Sequence, residues 1–190
     1  MSAPTRETII ATADRLFYER GFEATSFANI AEKVGISRGN FYYHFKTKDE
    51  ILEAVILRRL AFTQDMLAQW QAEGKTPVDR IRLFIHILVR NQTKIMQHGC
   101  PVGTLCSELS KQQHPALAHA TRLFTLFRLW LSGQFTELGL TERADSLAMH
   151  LLMRSQGVAT LAQSFQDEAF VHEEVRLMDN WLNDLIDVKG

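Results

Sequence analysis

Arg38 and Asn40 stand two positions apart in the run Ser37-Arg38-Gly39-Asn40-Phe41-Tyr42-Tyr43-His44-Phe45-Lys46-Thr47-Lys48. A guanidinium can fork onto guanine O6 and N7, and a carboxamide can do the same with adenine N6 and N7. Gly39, between them, has no side chain to hold a base edge away. Tyr42, Tyr43, His44 and Lys48 then supply hydroxyls, a ring N–H and an ammonium, groups that grip phosphates and set register without reading sequence. Phe41 and Phe45 have no such chemistry and belong in a core. The same run could instead be a buried helical turn ending in a solvated lysine pair, so the elements that position it must decide.

The residues just before it carry that decision. Ile30-Ala31-Glu32-Lys33-Val34-Gly35-Ile36-Ser37 has the pattern of two short helices crossing through a tight turn. Ala31 keeps the first helix slim at the crossing, and Gly35 takes a turn position where a positive φ would penalise a side chain. Val34, Ile36 and Phe41 fill the small core. Ser37 can cap the second helix, leaving its first residues free to meet another molecule. That helix, about eight residues and roughly 12 Å long, matches a major groove roughly 12 Å wide.

Composition bounds the rest. The chain has 190 residues, a formal net charge of −1, 46% hydrophobic and 23% charged residues. Whole-chain charge therefore gives no argument for a polyanionic partner. Locally the balance differs: residues 33–48 hold Lys33, Arg38, Lys46 and Lys48 and no carboxylate. No run approaches the roughly 18 apolar residues of a membrane helix. The N-terminus lacks the succession of a secretory signal, and Cys100 and Cys106 are too few for a disulfide framework. These features predict a cytoplasmic, reduced protein.

Helical spacing runs through the sequence, with no convincing period-two alternation. Helices are expected near 5–20, 27–34, 37–45, 48–71, 77–97, 102–112, 115–138, 142–165 and 168–187. Thr76-Pro77-Val78-Asp79 places an N-cap threonine before a proline at the first helical position. Thr47-Lys48-Asp49-Glu50 has capping-box spacing. Seven histidines show no metal-ligand spacing such as HExxH, and no metal or cofactor is expected.

The stretch RGFEATSFANIAEKVGISRGNFYYHFKTKDEIL, within about residues 5–55, resembles the DNA-binding domain of the TetR family of bacterial transcriptional regulators. The resemblance implies an all-α homodimer: a three-helix helix-turn-helix domain over 1–50, and a helical ligand-binding and dimerisation domain over 51–190, about nine helices in all. It implies that Arg38 and Gly39 meet bases, that Ser26, Tyr42, Tyr43, His44 and Lys48 meet phosphates, and that Asn40 lies on the recognition helix. The expected partners are a palindromic double-stranded operator and a small-molecule inducer that releases a repressor from it.

By the same resemblance a pocket would lie among the middle helices, with Phe62, Met66, Phe84, Leu88, Gln92, Phe124, Phe127 and Trp130 as lining. Their apolar bias implies an apolar or aromatic inducer. A Gly-Cys pair opening a helix, Gly99-Cys100, resembles the electrophile-sensing branch of the family and adds Cys100 to the ligand site; helix N-termini favour a thiolate. Against that, cysteine is often a small buried hydrophobe. Six residues of helix between Cys100 and Cys106 rise about 9 Å, beyond the roughly 7 Å reach of a disulfide.

The last two helices carry Leu147, Leu151, Arg154, Val158 and Leu161, then Val171, Val175, Met178, Trp181 and Leu185. By the same resemblance these stripes are expected to pair with their twins in a two-fold four-helix interface, the alternative being packing within one subunit. A dimer also suits the geometry, because two recognition helices would reach half-sites roughly 34–36 Å apart. Two readings of another kind stay open. A helical enzyme or carrier would use the same cavity, although no paired carboxylates, nucleophile–base pair or glycine-rich phosphate loop supports it. An architectural protein would bind operator and random duplex alike.

Overall fold

A computed structural model describes residues 2–187, and among them the backbone forms helices and no strands. The order is α1 (Ser2–Arg20), α2 (Phe27–Val34), α3 (Arg38–His44), α4 (Lys48–Glu73), α5 (Pro77–Arg90), α6 (Gln92–His98), α7 (Pro101–Lys111), α8 (Leu117–Glu137), a single 3-10 turn (Thr141–Arg143), α9 (Ala144–Phe165) and α10 (Glu168–Asp187). The all-α class expected from helical spacing is what the chain adopts.

Local chemistry explains most boundaries. α5 starts where Thr76 accepts the N–H of Asp79 while the Asp79 carboxylate accepts the N–H and O–H of Thr76, with Pro77 at the first helical position. α4 starts similarly on Thr47, whose hydroxyl accepts the Glu50 N–H at 3.1 Å. The Glu50 carboxylate, however, reaches one residue further back than a capping box requires and takes the Lys46 N–H at 2.7 Å.

One expected helix is divided. The spacing over 77–97 predicts a single helix, but the chain breaks at Asn91, with φ −111° and ψ 11°. Its side-chain amide donates to the Ile87 carbonyl at 3.2 Å. An asparagine that bonds the preceding turn offers the backbone an alternative to helix propagation, a signal that apolar spacing does not register. The helix expected from 115 likewise begins later, at Leu117. The His114 carbonyl accepts the Leu117 N–H, and its ring Nδ1 accepts the Ala116 N–H at 3.1 Å.

The chain divides into two compact units, Met1–Phe62 with Pro101–Leu123, and Thr63–Cys100 with Phe124–Gly190. In the first, Ile9, Ala13, Leu16, Phe41, Phe45, Ile51, Leu52, Ile56 and Leu109 are wholly or almost wholly buried. The buried Arg59 of this unit is paired with a carboxylate. Its Nε donates to Asp14 Oδ1 at 2.7 Å and its Nη1 to the Pro101 carbonyl at 2.6 Å, so the charge is paired rather than stranded.

The second unit packs Ile81, Phe84, Ile85, Leu131, Phe135, Leu147, Ala148, Leu151, Val158, Val171, Val175 and Met178 into one core. This corrects the two-fold stripes. Leu147, Leu151, Val158, Val171, Val175 and Met178 are buried inside the subunit, and Arg154 pairs with Glu174 at 3.0 Å. Of the expected α9 stripe only Leu161 is exposed; Trp181 and Leu185, on α10, are half-buried. A different α9 face is apolar and open: Met149, Met153, Leu161 and Phe165, with Met153 62% and Phe165 72% exposed. Among the described residues no helix is long and apolar enough to cross a membrane.

Candidate nucleic-acid interface

α2 and α3 are joined as the sequence predicts. Gly35 sits in the left-handed region at φ 75°, ψ 34°, and its N–H returns to the Ala31 and Glu32 carbonyls. The Ile36 N–H also returns to Ala31, at 3.1 Å. Both donations close orphan carbonyls at the end of α2. Ile30, Ala31 and Phe41 are buried, and Phe27 packs on Phe41 at 5.0 Å and edge-on to Tyr42 at 5.6 Å between ring centres. Phe41 and Phe45 are core, as their lack of polar groups implied.

Ser37 caps α3, its hydroxyl accepting the Asn40 N–H at 3.3 Å. The next residues, Arg38, Gly39 and Asn40, are all exposed. Around the following turn Tyr42 is 46% and Tyr43 72% exposed, while His44 is half-buried with its ring edge-on to Tyr43 at 5.2 Å. Lys46 bends its ammonium back to the Tyr42 carbonyl, closing the C-terminal end of α3.

Gly39 is informative because the fold does not ask for it. A Cβ added there would meet nothing within 4 Å, and its φ is not positive. Glycine in a helix costs roughly 0.5–1 kcal/mol relative to alanine. Neither packing nor backbone geometry within the chain explains that cost.

Ser26, twelve residues before Arg38 in the chain, meets it on the rim of one shallow hollow of about 270 Å³, together with Tyr42. Ser26 also begins α2 with a reciprocal cap. Its hydroxyl accepts the Asn29 N–H at 3.2 Å, and Asn29 Oδ1 accepts the Ser26 N–H at 3.0 Å. The first turns of α2 and α3 contain no acidic residue, so the unsatisfied N–H groups and dipole of each helix start face solvent without a carboxylate beside them.

Lys48 is placed differently from the other candidates. Its ammonium donates to the Phe22 and Glu23 carbonyls at 3.0 and 3.2 Å and lies 4.3 Å above the Phe22 ring. Three residues that sequence reasoning passed over also shape the face. Asn29 serves as the α2 cap, a pattern outside the usual Ser/Thr-x-x-Glu/Gln template. Thr25 is buried with its hydroxyl donating to the Gly21 carbonyl at 2.8 Å. Arg6, on α1, sets its guanidinium 4.9 Å above the Phe45 ring. Thr25 bonds within its own turn, whereas Arg6 depends on a contact across the fold and leaves no local signal.

The residues proposed to line a pocket mostly join the second unit's core. Phe84 and Leu88 are buried; Met66, Cys100, Phe124, Phe127 and Trp130 pack partly buried against the same core. Phe84 and Phe127 lie 5.7 Å apart, as do Trp70 and Trp130. Gln156 donates to Cys100 Sγ at 3.4 Å; neither Cys100 nor Cys106 is in a disulfide. Gln92 donates to the Glu168 carboxylate, but Gln92 Oε1 and Trp130 Nε1 are buried without a hydrogen-bond partner. Phe62, in the first unit, is 70% exposed. Among the described residues no cluster of His, Cys, Asp or Glu could hold a metal ion.

Comparison with known proteins places this geometry among relatives. A family model described as bacterial regulatory proteins, tetR family, matches residues 9–55. The chain is 32% identical to the HTH-type transcriptional regulator AcrR of Shigella flexneri over 76% of its own length and 73% of that protein's. It is also 32% identical to the HTH-type transcriptional regulator TtgR of Pseudomonas putida, a match that spans 63% of TtgR. Among solved structures, a TetR transcriptional regulator from Legionella pneumophila superposes with a TM-score of 0.81 at 25% identity, covering 92% of this chain and 95% of that one.

Proposed function

Because this chain belongs to the tetR family of bacterial regulatory proteins, we propose that it is a dimeric, ligand-responsive transcriptional repressor that reads a palindromic operator with α3. Residues 1–50 carry DNA binding and residues 51–190 carry ligand binding and dimerisation. Arg38 and Asn40 read base edges, Gly39 lets the backbone come close, and Ser26, Ser37, Tyr42, Tyr43 and His44 hold phosphates. Lys48 has two of its three N–H donors on carbonyls and its ammonium 3.8 Å from Glu23 Oε2, so it offers phosphate at most the third donor.

The observation that carries the reading is the exposed Arg38–Gly39–Asn40 at a capped helix start, with a glycine that nothing within the chain requires. Selection of bound duplexes from a random pool tests it: a two-fold symmetric consensus is expected, and Arg38→Ala and Tyr42→Ala should each weaken binding to that consensus. Arg38→Ala should also relax preference at one base position per half-site, by about 1–3 kcal/mol. Unchanged affinity and preference in both variants would discard the assignment.

The dimer surface is the open face of α9, where Met149, Met153, Leu161 and Phe165 recur at helical spacing. Gly157, midway along, has open space where a side chain would stand, which suits close approach of a twin helix. Met153→Glu combined with Phe165→Glu changes only exposed positions. The pair should halve the particle mass by light scattering and weaken operator binding by about a hundredfold or more, the usual gain from joining two binding modules.

The inducer is an apolar or aromatic small molecule taken among Phe84, Leu88, Phe124, Phe127 and Trp130. The unpartnered Trp130 Nε1 and Gln92 Oε1 supply one donor and one acceptor, so the molecule carries a complementary acceptor and donor. It releases DNA only if it binds the free shape better than the DNA-bound one.

A further inference from the structure

Residues 21–26, which link α1 to α2, are held by their backbone from two sides. Glu108, on α7, accepts the Phe22 N–H at Oε2 (2.9 Å) and the Glu23 N–H at Oε1 (2.8 Å). Lys48, at the start of α4, donates to the carbonyls of the same two residues. A short surface loop ordinarily leaves such groups to water. Here a carboxylate and an ammonium from two other helices bind all four, with charge-assisted bonds roughly twice as strong as neutral ones.

The surroundings hold the clamp closed. Phe22 is buried and meets Phe17 and His114 edge-on at 5.2 and 5.4 Å. His114, which follows α7, lies 3.4 Å from the Asp49 carboxylate on α4. Gly21 stands at φ +90°, and a Cβ there would come within 3.1 Å of Glu108 Oε1. So the glycine permits both the turn and the close seat of the carboxylate.

Three residues beyond Glu23 is Ser26, which starts α2 and shares its hollow with Arg38 and Tyr42. Whatever fixes Phe22–Glu23 therefore fixes where α2 begins. α7 follows directly on Cys100, where the chain passes from the second compact unit to the first. We propose that Glu108 is a positioning residue for operator binding: its two-amide clamp ties the start of α2 to α7 and thereby sets the half-site spacing that a dimer accepts. This rests on the dimeric operator reading above.

The test uses the full-length protein and the consensus operator, with versions carrying one base pair more or one fewer between half-sites. Glu108→Gln is isosteric but offers only one acceptor oxygen, so one amide of the pair is released onto an NH2 group. Native-spacing affinity should fall roughly tenfold, while the altered spacings lose much less, flattening the preference. Amide exchange by NMR should show Phe22 and Glu23 protected in the wild type and opened in the variant. A merely structural role would weaken all three operators equally.

A folded Glu108→Gln protein that keeps its spacing preference, or wild-type amides at 22 and 23 that exchange freely, overturns the proposal. If Glu108→Gln does not fold, the same operator series is run on Glu108→Asp, which keeps the charge but shortens the reach to the two amides. An unflattened preference there overturns the proposal equally. A wild-type protein that selects no two-fold sequence at all would instead remove the operator reading beneath it, a separate and recognisable result.

Discussion

Among the described residues four helices begin on a serine or threonine whose hydroxyl accepts the N–H three residues on, and they divide into two pairs. α4 and α5 place a carboxylate at that third position, Glu50 and Asp79. α2 and α3 place an amide there, Asn29 and Asn40. A carboxylate is the better partner for a helix dipole, so α4 and α5 follow the stability rule and α2 and α3 do not. The two exceptions are the helices whose starts lie at the candidate DNA face. A helix start kept free of negative charge remains available to a phosphate; one closed by its own carboxylate does not.

The comparison breaks most easily at Asn40. Asn40→Asp adds a charge favourable to the α3 dipole, so the isolated protein should gain about 0.3–1 kcal/mol in stability. The same charge beside Arg38 would face phosphate and remove an adenine-reading amide, so operator affinity should fall by roughly ten- to a hundredfold. Asn29→Asp should show the same opposed signs, about tenfold on DNA, since it touches no base and acts through charge alone. Thermal unfolding and gel shifts on the same samples check both. If stability and affinity fall together, the amides are caps and nothing more.

Gly39→Ala sharpens the contrast without adding charge. Open space around the position predicts that the methyl fits, and the variant should be more stable by about 0.5–1 kcal/mol. Operator binding should weaken nonetheless, because the added methyl stands where a base edge approaches. Calorimetry gives the first quantity and a binding titration the second. Equal or improved operator affinity would show that Gly39 is not a close-approach residue.

These positions were legible in the sequence because they violate what a helix wants for itself. Gly39 inside a helix, Tyr43 exposed and a carboxylate-free basic run have no local excuse, so an outside partner is the economical reading. The second unit offers no such violations. Phe84 and Leu88 obey the same apolar spacing whether they line a pocket or fill a core, and both are buried. The α9 stripe misled for a related reason. Leu147, Leu151 and Val158 follow helical spacing because they face inward, whereas the exposed face must be found by elimination, at Met149, Met153 and Phe165. The break at Asn91 was hidden because it depends on one side-chain hydrogen bond. Glu108 was invisible altogether: its partners lie far away in the chain, and only the fold brings them together.

The smallest expected effect lies at the other pair of caps. The Thr76 hydroxyl and, secondarily, the Thr76 backbone N–H hold the Asp79 carboxyl below its ordinary range. A carboxyl with a depressed folded pKa stabilises the fold above its unfolded value and loses that contribution as pH falls through the folded one. For Asp79 the loss therefore begins near the ordinary aspartate value of about 3.9 and continues below it. Asp79→Asn should remove this part of the acid limb while leaving operator binding unchanged, since α5 belongs to the second compact unit and the candidate face residues to the first. Asn29 and Asn40 carry no titrating proton, so the starts of α2 and α3 should keep their caps across the same range. Acid titration of stability, wild type against Asp79→Asn and Asn40→Asp, reads the difference directly: the first substitution should flatten the limb and the second should steepen it. Identical limbs in all three proteins would mean that the third position of these caps does not distinguish the helices after all.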